Sequence, residues 1–218
     1  MTQSAPARRP LKTRDRGWAK AIASVLVRMR VSPNAISVGS IFFALAAGAA
    51  FWYASPNHPS RYVLLLAIAA ISIQARLLCN MLDGMVAVEG GLQTKSGEVF
   101  NDLPDRIADA LIFIGAGHAV HTLPYGMELG WSTALLAVFT AYVRMLGGAS
   151  GLAQSFVGPM AKQQRMALMT GACLLSIIES RFLRTGTLLW IALMIVIAGC
   201  IVTIARRTIN IVRGLEAR

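Results

Sequence analysis

The sequence predicts an all-α integral membrane protein, with six transmembrane helices preceded by an interfacial amphipathic helix. Three observations carry this. Of 218 residues, 56% are hydrophobic and 14% are charged, where a soluble domain carries about 25% charged residues. The apolar residues fall in runs near the length that crosses a hydrocarbon core of roughly 30 Å, parted by short breaks containing Gly, Pro and polar side chains. The 21 Lys and Arg, against ten acids for a formal charge of +11, gather towards the two ends of the chain. That placement does not by itself imply nucleic acid, and no nucleic-acid partner is expected.

The elements follow in order. From Arg14 to Val31, "RDRGWAKAIASVLVRMRV" sets Trp18, Ile22, Val25, Leu26 and Met29 at helical spacing among basic residues, the pattern of a helix lying in the interface. "SPN" then offers Ser32 as an N-cap and Pro33 in the first turn, opening a first span that runs to about Tyr53. After the polar "SPNHPSR", a second span from Tyr62 to about Val88 carries Arg76, Asn80 and Asp83 near its far end. "EGGLQTKSG" breaks the chain again, and a third helix from Glu98 to about Val120 bears Asn101, Asp105 and Asp109 before it turns wholly apolar. Trp131 to Met145 forms a fourth span. The connection "GGASGLAQSFVGPMAKQQR" is too polar for lipid, helix five runs from about Gln163 to Ser180, and helix six from Gly186 to Ala205.

Three regions result: a basic N-terminus with the interfacial helix over 1–31, a six-helix membrane domain over 32–205, and a basic tail over 206–218, with no internal repeat. Six spans put both termini on one side. Most Lys and Arg, including Lys95 and Lys162, fall on that face, while the opposite loops hold chiefly Arg61, Arg181 and Arg184. Termini and acidic stretch are therefore expected in the cytoplasm, and the chain in a bacterial inner membrane. The N-terminus lacks an apolar h-region with a small-residue cleavage site, so no cleaved leader is expected. Cys79, Cys173 and Cys200 lie far apart in apolar segments and read as buried thiols.

Six of the ten acids lie between Asn80 and Asp109. On a helix, Asn80, Asp83 and Ala87 share one face with Gly84 beside them, and Asn101, Asp105 and Asp109, spaced by four, line one face of the next. Ionisable groups at membrane depth are costly and face an interior with a compensating charge. Converging carboxylates favour a hard cation such as Mg²⁺, Mn²⁺ or Ca²⁺. The competing reading is a pair of helix ends whose acids simply reach water.

The register of the stretch resembles the motif D-x2-D-G-x2-A-R-x8-G-x3-D-x3-D of the CDP-alcohol phosphotransferase (CDP-alcohol phosphatidyltransferase) family. Asp83, Gly84, Ala87, Gly97 and Asp105 match without insertion, while Asn80, Val88 and Asn101 stand where the motif has Asp, Arg and Asp. "DRIAD" is similar to the continuation in actinobacterial phosphatidylinositol-phosphate synthases, and "SPNAIS" and "AYVRM" resemble the family's first-helix opening and fourth-helix end. The resemblance implies transfer of a phosphatidyl group from a CDP-linked lipid donor to an alcohol acceptor, with release of CMP. It further implies a metal site for Mg²⁺ or Mn²⁺ at Asn80, Asp83, Asn101 and Asp105, with Asp105 also the general base. Gly84, Ala87 and Gly97 would let the nucleotide pack closely, and a homodimer is the family's expected state. Two amides in place of carboxylates remove two negative charges, so either one cation binds strongly, or Asp102, Asp109 or Glu98 supplies the missing charge, or catalysis is altered.

Beyond the motif, Arg76 needs a phosphate, such as a bound nucleotide's, or a carboxylate partner. The resemblance would place an acceptor phosphate at Arg144, Lys162 and Arg165, although helix-end cations reaching water would look the same. His58, His118 and His121 fall at the opposite end, and Trp18, Trp52, Trp131 and Trp190 near helix ends read as interfacial anchors. Two other classes remain: a non-catalytic descendant that binds nucleotide or lipid, motivated by Asn80, Val88 and Asn101, and a transporter, which requires a polar path open to both faces.

Overall fold

A computed structural model describes residues 16–94, 96–179 and 182–218. The expectations placed on residues 1–15, Lys95 and Arg181 lie outside the described residues. The described chain is helical throughout its regular structure: α1 (Gly17–Arg28), α2 (Pro33–Tyr53), α3 (Pro59–Glu89), α4 (Gly97–Ala119), α5 (Gly126–Ala149), α6 (Lys162–Glu179) and α7 (Thr187–Glu216). Four of these, α2, α3, α5 and α7, are long and apolar enough to cross a membrane. Their outer faces are apolar: Phe42 of α2 is 72% exposed, Ile71 of α3 70% and Leu135 of α5 68%. Side chains of this size turned outward need lipid around them, so the chain is an integral membrane protein.

Local signals explain the starts. Ser32 Oγ accepts the amide of Ala35, and Pro33 occupies the first turn of α2, so the cap read from the sequence forms. α4 carries Pro104 inside it, which removes one rung of the helical ladder beside Asp105. α7 differs from expectation at its end. It continues through the basic residues to Glu216, because "TIARRTINIVRGLE" still places Thr203 and Arg207 on the buried face.

The core lies among α2 to α7, built from Phe51, Leu66, Ile73, Ile112, Phe113, Met166, Leu193 and many alanines. Small residues set the spacing. A methyl added at Gly115 would lie 2.5 Å from the carbonyl oxygen of Gly48, and one at Gly117 would lie 2.6 Å from Cα of Gly130. α2 against α4, and α4 against α5, thus meet backbone to backbone. α1 is separate: Ala19 and Ala23 pack on Met81, Leu82, Met85 and Val86 near the end of α3, while Trp18, Val25 and Met29 remain exposed.

Candidate active site

α2, α4 and α6 begin, and α3, α5 and α7 end, at one pole of the bundle, so alternating chain direction collects their polar ends. Among the described residues, every buried charged side chain except Glu179 belongs to this pole: Arg76, Asp83, Asp105, Asp109, Arg165 and Arg207.

The deepest layer is an ion cluster. Asp109 is fully buried between two guanidinium groups, Arg76 Nη2 at 2.8 Å and Arg165 Nη2 at 2.5 Å. Arg165 also donates from Nη1 to Thr140 Oγ1 and to the Met160 carbonyl, tying α6 to α5 and to the preceding loop. Two buried arginines on one carboxylate leave an excess positive charge, which is costly without a further anion. Arg76 finds that anion in Asp105, 3.3 Å from its Oδ1, and donates to the Asp105 carbonyl as well.

Asp105 is the junction between this layer and the pocket above. Its Oδ1 accepts from Asn80 Nδ2 at 2.9 Å and its Oδ2 from Lys162 Nζ at 2.5 Å. Arg106 stands 3.7 Å away. Asp83, 5% exposed, accepts from Ser37 Oγ at 2.5 Å and lies within electrostatic reach of both Lys162 and Asp105. At the rim, Arg144 donates to both oxygens of Asp102, at 2.8 and 2.6 Å, and its guanidinium lies over the Phe156 ring. Glu98 accepts from Gln154.

Asn80 and Lys162 therefore contact Asp105, with Asp83 within electrostatic reach of Asp105 and Lys162, while Arg76 links Asp105 to Asp109 beneath. Asn101 is exposed at the open end of α4, while Gly84, Ala87 and Gly97 are half-buried. Of the two partners open to Arg76, the structure shows carboxylates. Arg165 is 1% exposed, which excludes a helix-end cation reaching water. Three participants escaped sequence reasoning: Ser37, Arg106 and Arg207. Ser37 lies one turn into α2 from its cap, and Arg106 directly follows Asp105, so each had a local signal. Arg207 did not, since it sits in a run that reads as tail. It is 4% exposed and donates to the carbonyls of Val157 and Thr140. The histidines stand apart at the other pole, where His118 stacks on Trp52 at 4.0 Å.

In donor chemistry, Asp83, Asp105 and the amide oxygen of Asn80 are hard oxygen ligands suited to Mg²⁺ or Mn²⁺. In charge, the set is lean: no three Asp, Glu, His or Cys side chains gather at a point among the described residues.

No protein-family model matches the chain. It is 26% identical over 195 residues to an uncharacterized protein of Aquifex aeolicus, covering 88% of this chain and 87% of that one. It is 28% identical over 173 residues to the inner membrane protein YnbA of Escherichia coli, covering 76% and 78%. Phosphatidylinositol phosphate synthase of Mycobacterium tuberculosis, solved with manganese and citrate, superposes with a TM-score of 0.73 at 19% identity, covering 88% of each chain. The same enzyme with CDP-DAG bound gives a TM-score of 0.72 at 19% identity, over 88% of this chain and 92% of that one. Buried charges at one pole, alternating helices and this superposition lead to one conclusion: the chain is built on the fold of phosphatidylinositol phosphate synthase, as its resemblance to the CDP-alcohol phosphotransferases predicts.

Proposed function

We propose that this protein is a CDP-alcohol phosphotransferase that moves a phosphatidyl, or similar substituted phosphoryl, group from a CDP-linked lipid such as CDP-diacylglycerol to an alcohol, releasing CMP. The observation that carries the reading is the contact of Asn80 with Asp105 across two helices, with Asp83 within electrostatic reach, beside cations at one pole of this fold. The acceptor hydroxyl gives its proton to Asp105, its oxygen bonds to phosphorus, and the bond from phosphorus to the CMP oxygen breaks with its electron pair going to CMP. A divalent Mg²⁺ or Mn²⁺ held by Asp83, Asn80 and Asp105, with Asn101 at the rim, would neutralise diphosphate charge.

The chain's own residues do the rest. Lys162, with 24% of its side chain exposed, is free to exchange Asp105 for a donor phosphate, which uncovers Oδ2 for the hydroxyl. Arg106 and Arg144, 20% and 17% exposed, are open to the same anion or to an acceptor phosphate. Arg76 and Arg165 act from beneath, holding Asp109 and Asp105 in place. The nucleotide would pack beside Gly84, Ala87 and Gly97, and a cavity of about 370 Å³ lined by Val27, Arg30, Asn34, Gly90, Leu92 and Thr94 lies at the same pole. A second cavity of about 250 Å³ sets Arg144, Ser155, Arg207 and Asn210 among the apolar Val143, Leu152 and Ile211, and its cations are open to an acceptor phosphate.

In the same reading α4 and α6 also cross the membrane, giving six spans with the active site and both termini on the cytoplasmic face of a bacterial inner membrane, in a homodimer. α4 has 23 residues and α6 has 18, about 34 and 27 Å of helix. The test is direct. The purified protein in detergent, given CDP-diacylglycerol, Mg²⁺ or Mn²⁺ and a panel of alcohols and alcohol phosphates, should release CMP and form a new phospholipid seen by mass. CDP-diacylglycerol bound tightly with no CMP released under any acceptor would instead mark a non-catalytic descendant.

A further inference from the structure

We propose that the Lys162 ammonium stands in this chain for one divalent cation, leaving the pocket to bind a single metal ion. The inference rests on the transferase reading of the site and concerns how its charge is balanced. Both oxygens of Asp105 already face donor hydrogens: the ammonium at 2.5 Å on Oδ2 and the Asn80 amide at 2.9 Å on Oδ1. With Asn80 and Arg76 on Oδ1 and Lys162 on Oδ2, the lone pairs that remain on this carboxylate serve one metal ion rather than a bridge between two.

The surroundings point the same way. Asp83, Asp105 and Asp109 supply three negative charges against one positive each on Lys162, Arg76, Arg106 and Arg165, a net +1. One divalent cation then brings the cluster to +3, and two would bring it to +5 in a membrane-embedded site where unbalanced charge is costly. Among the described residues no further acid relieves the excess: Asp102 is held by Arg144, and Glu98 is exposed and accepts from Gln154. Positions 80 and 101 carry amides, and Asn101 is exposed. Lys162 is also placed for the task. It is the first residue of α6, its side chain is partly open to solvent, and its ammonium lies within electrostatic reach of Asp83 as well as in contact with Asp105. A mobile ammonium at that point delivers one charge to the diphosphate without the coordination sphere that a second metal demands.

The experiment is a titration of full-length protein in detergent with Mn²⁺ alone, counting bound ions by the loss of the free-Mn²⁺ EPR signal. Wild type should bind one ion per chain, as should Lys162→Arg, which keeps the charge. Lys162→Met should bind that ion about tenfold or more tightly, since a cation has left its neighbourhood. Lys162→Met combined with Asn80→Asp and Asn101→Asp should bind two. Two ions on the wild type, none at all, or an affinity unmoved by Lys162→Met each overturn the proposal. CMP release is scored separately: one ion without turnover ends the transferase reading and keeps this assignment, while two ions with turnover do the reverse.

Discussion

Asp105 and Asp109 are separated by one helical turn yet answer to different physics. Asp105 faces the pocket, where the proposed transfer needs a proton acceptor, so on that reading Asp105→Asn should lower CMP release by about a thousandfold while the protein remains folded. Asp109 faces two arginines and no solvent. Asp109→Asn removes the only negative charge shared by Arg76 and Arg165, and uncompensated buried charge costs about 3–5 kcal/mol. It should therefore appear as a much lower unfolding temperature in detergent before any assay of turnover. Should both variants unfold alike, Asp105 is structural and the division drawn here fails. Spacing made much of this layer legible: Asn80, Asp83 and Asp105 were recognisable from gaps along single helices. Their partners were not. Arg76 meets Asp105 across 29 residues, and Lys162 meets it across 57. Such pairings depend on how helices cross, and no local pattern encodes that. Arg207 was hidden for a related reason, because a basic run at a chain end looks the same whether it frays or continues as a helix against α5.

At the scale of the elements, the pole opposite the site is held by one buried carboxylate. Glu179, 1% exposed at the end of α6, accepts the amide of Gly186 at 2.7 Å and that of Leu188, so it caps the start of α7 from across the turn. Glu179→Leu would leave those first-turn amides unsatisfied, at about 1–3 kcal/mol each. The variant should melt earlier and lose hydrogen-exchange protection first at 186–188, with CMP release at low temperature little changed. The backbone contacts of α4 are a stricter constraint. Overpacking typically costs about 1–3 kcal/mol, and at Gly117 the obstacle is Gly130 backbone rather than a movable side chain. Gly117→Val should accordingly yield little folded protein, whereas Gly39→Val, where a Cβ meets nothing within 4 Å, should be tolerated. The small residues of α2 were readable as a packing face, but whether they served the bundle or a dimer was not. Composition marks the face, and only the position of Gly48 under Gly115 shows that α4 covers it.

For the whole molecule, the decisive question is how α4 and α6 lie in the bilayer. Neither has the apolarity of the other four long helices, because α4 bears five charged residues between Glu98 and Asp109 and α6 opens with Lys162 and Arg165. Buried pairing removes much of that obstacle: Asp105 and Asp109 meet Arg76, Lys162 and Arg165 inside the bundle, so lipid faces their apolar sides. Full crossing by both helices places the α3–α4 turn and the α5–α6 loop on one side of the membrane, and the α2–α3 and α4–α5 turns on the other. The basic residues then decide which side. Lys20, Arg28, Arg30, Arg206 and Arg213 accompany the site, whereas Arg61 and Arg184 lie at the opposite pole, which is the bias behind the proposal that the site faces the cytoplasm. In a variant with its three native cysteines replaced, Thr94→Cys and Ser150→Cys should react with an impermeant maleimide only in inverted vesicles. Asn57→Cys and Tyr125→Cys should react only in right-side-out cells. Labelling of Thr94→Cys and Asn57→Cys from one side would mean that α3 does not cross, and labelling of Thr94→Cys and Tyr125→Cys from one side would mean the same for α4. Either result would leave the polar pole without the membrane face on which a lipid-linked donor and a soluble acceptor have to meet.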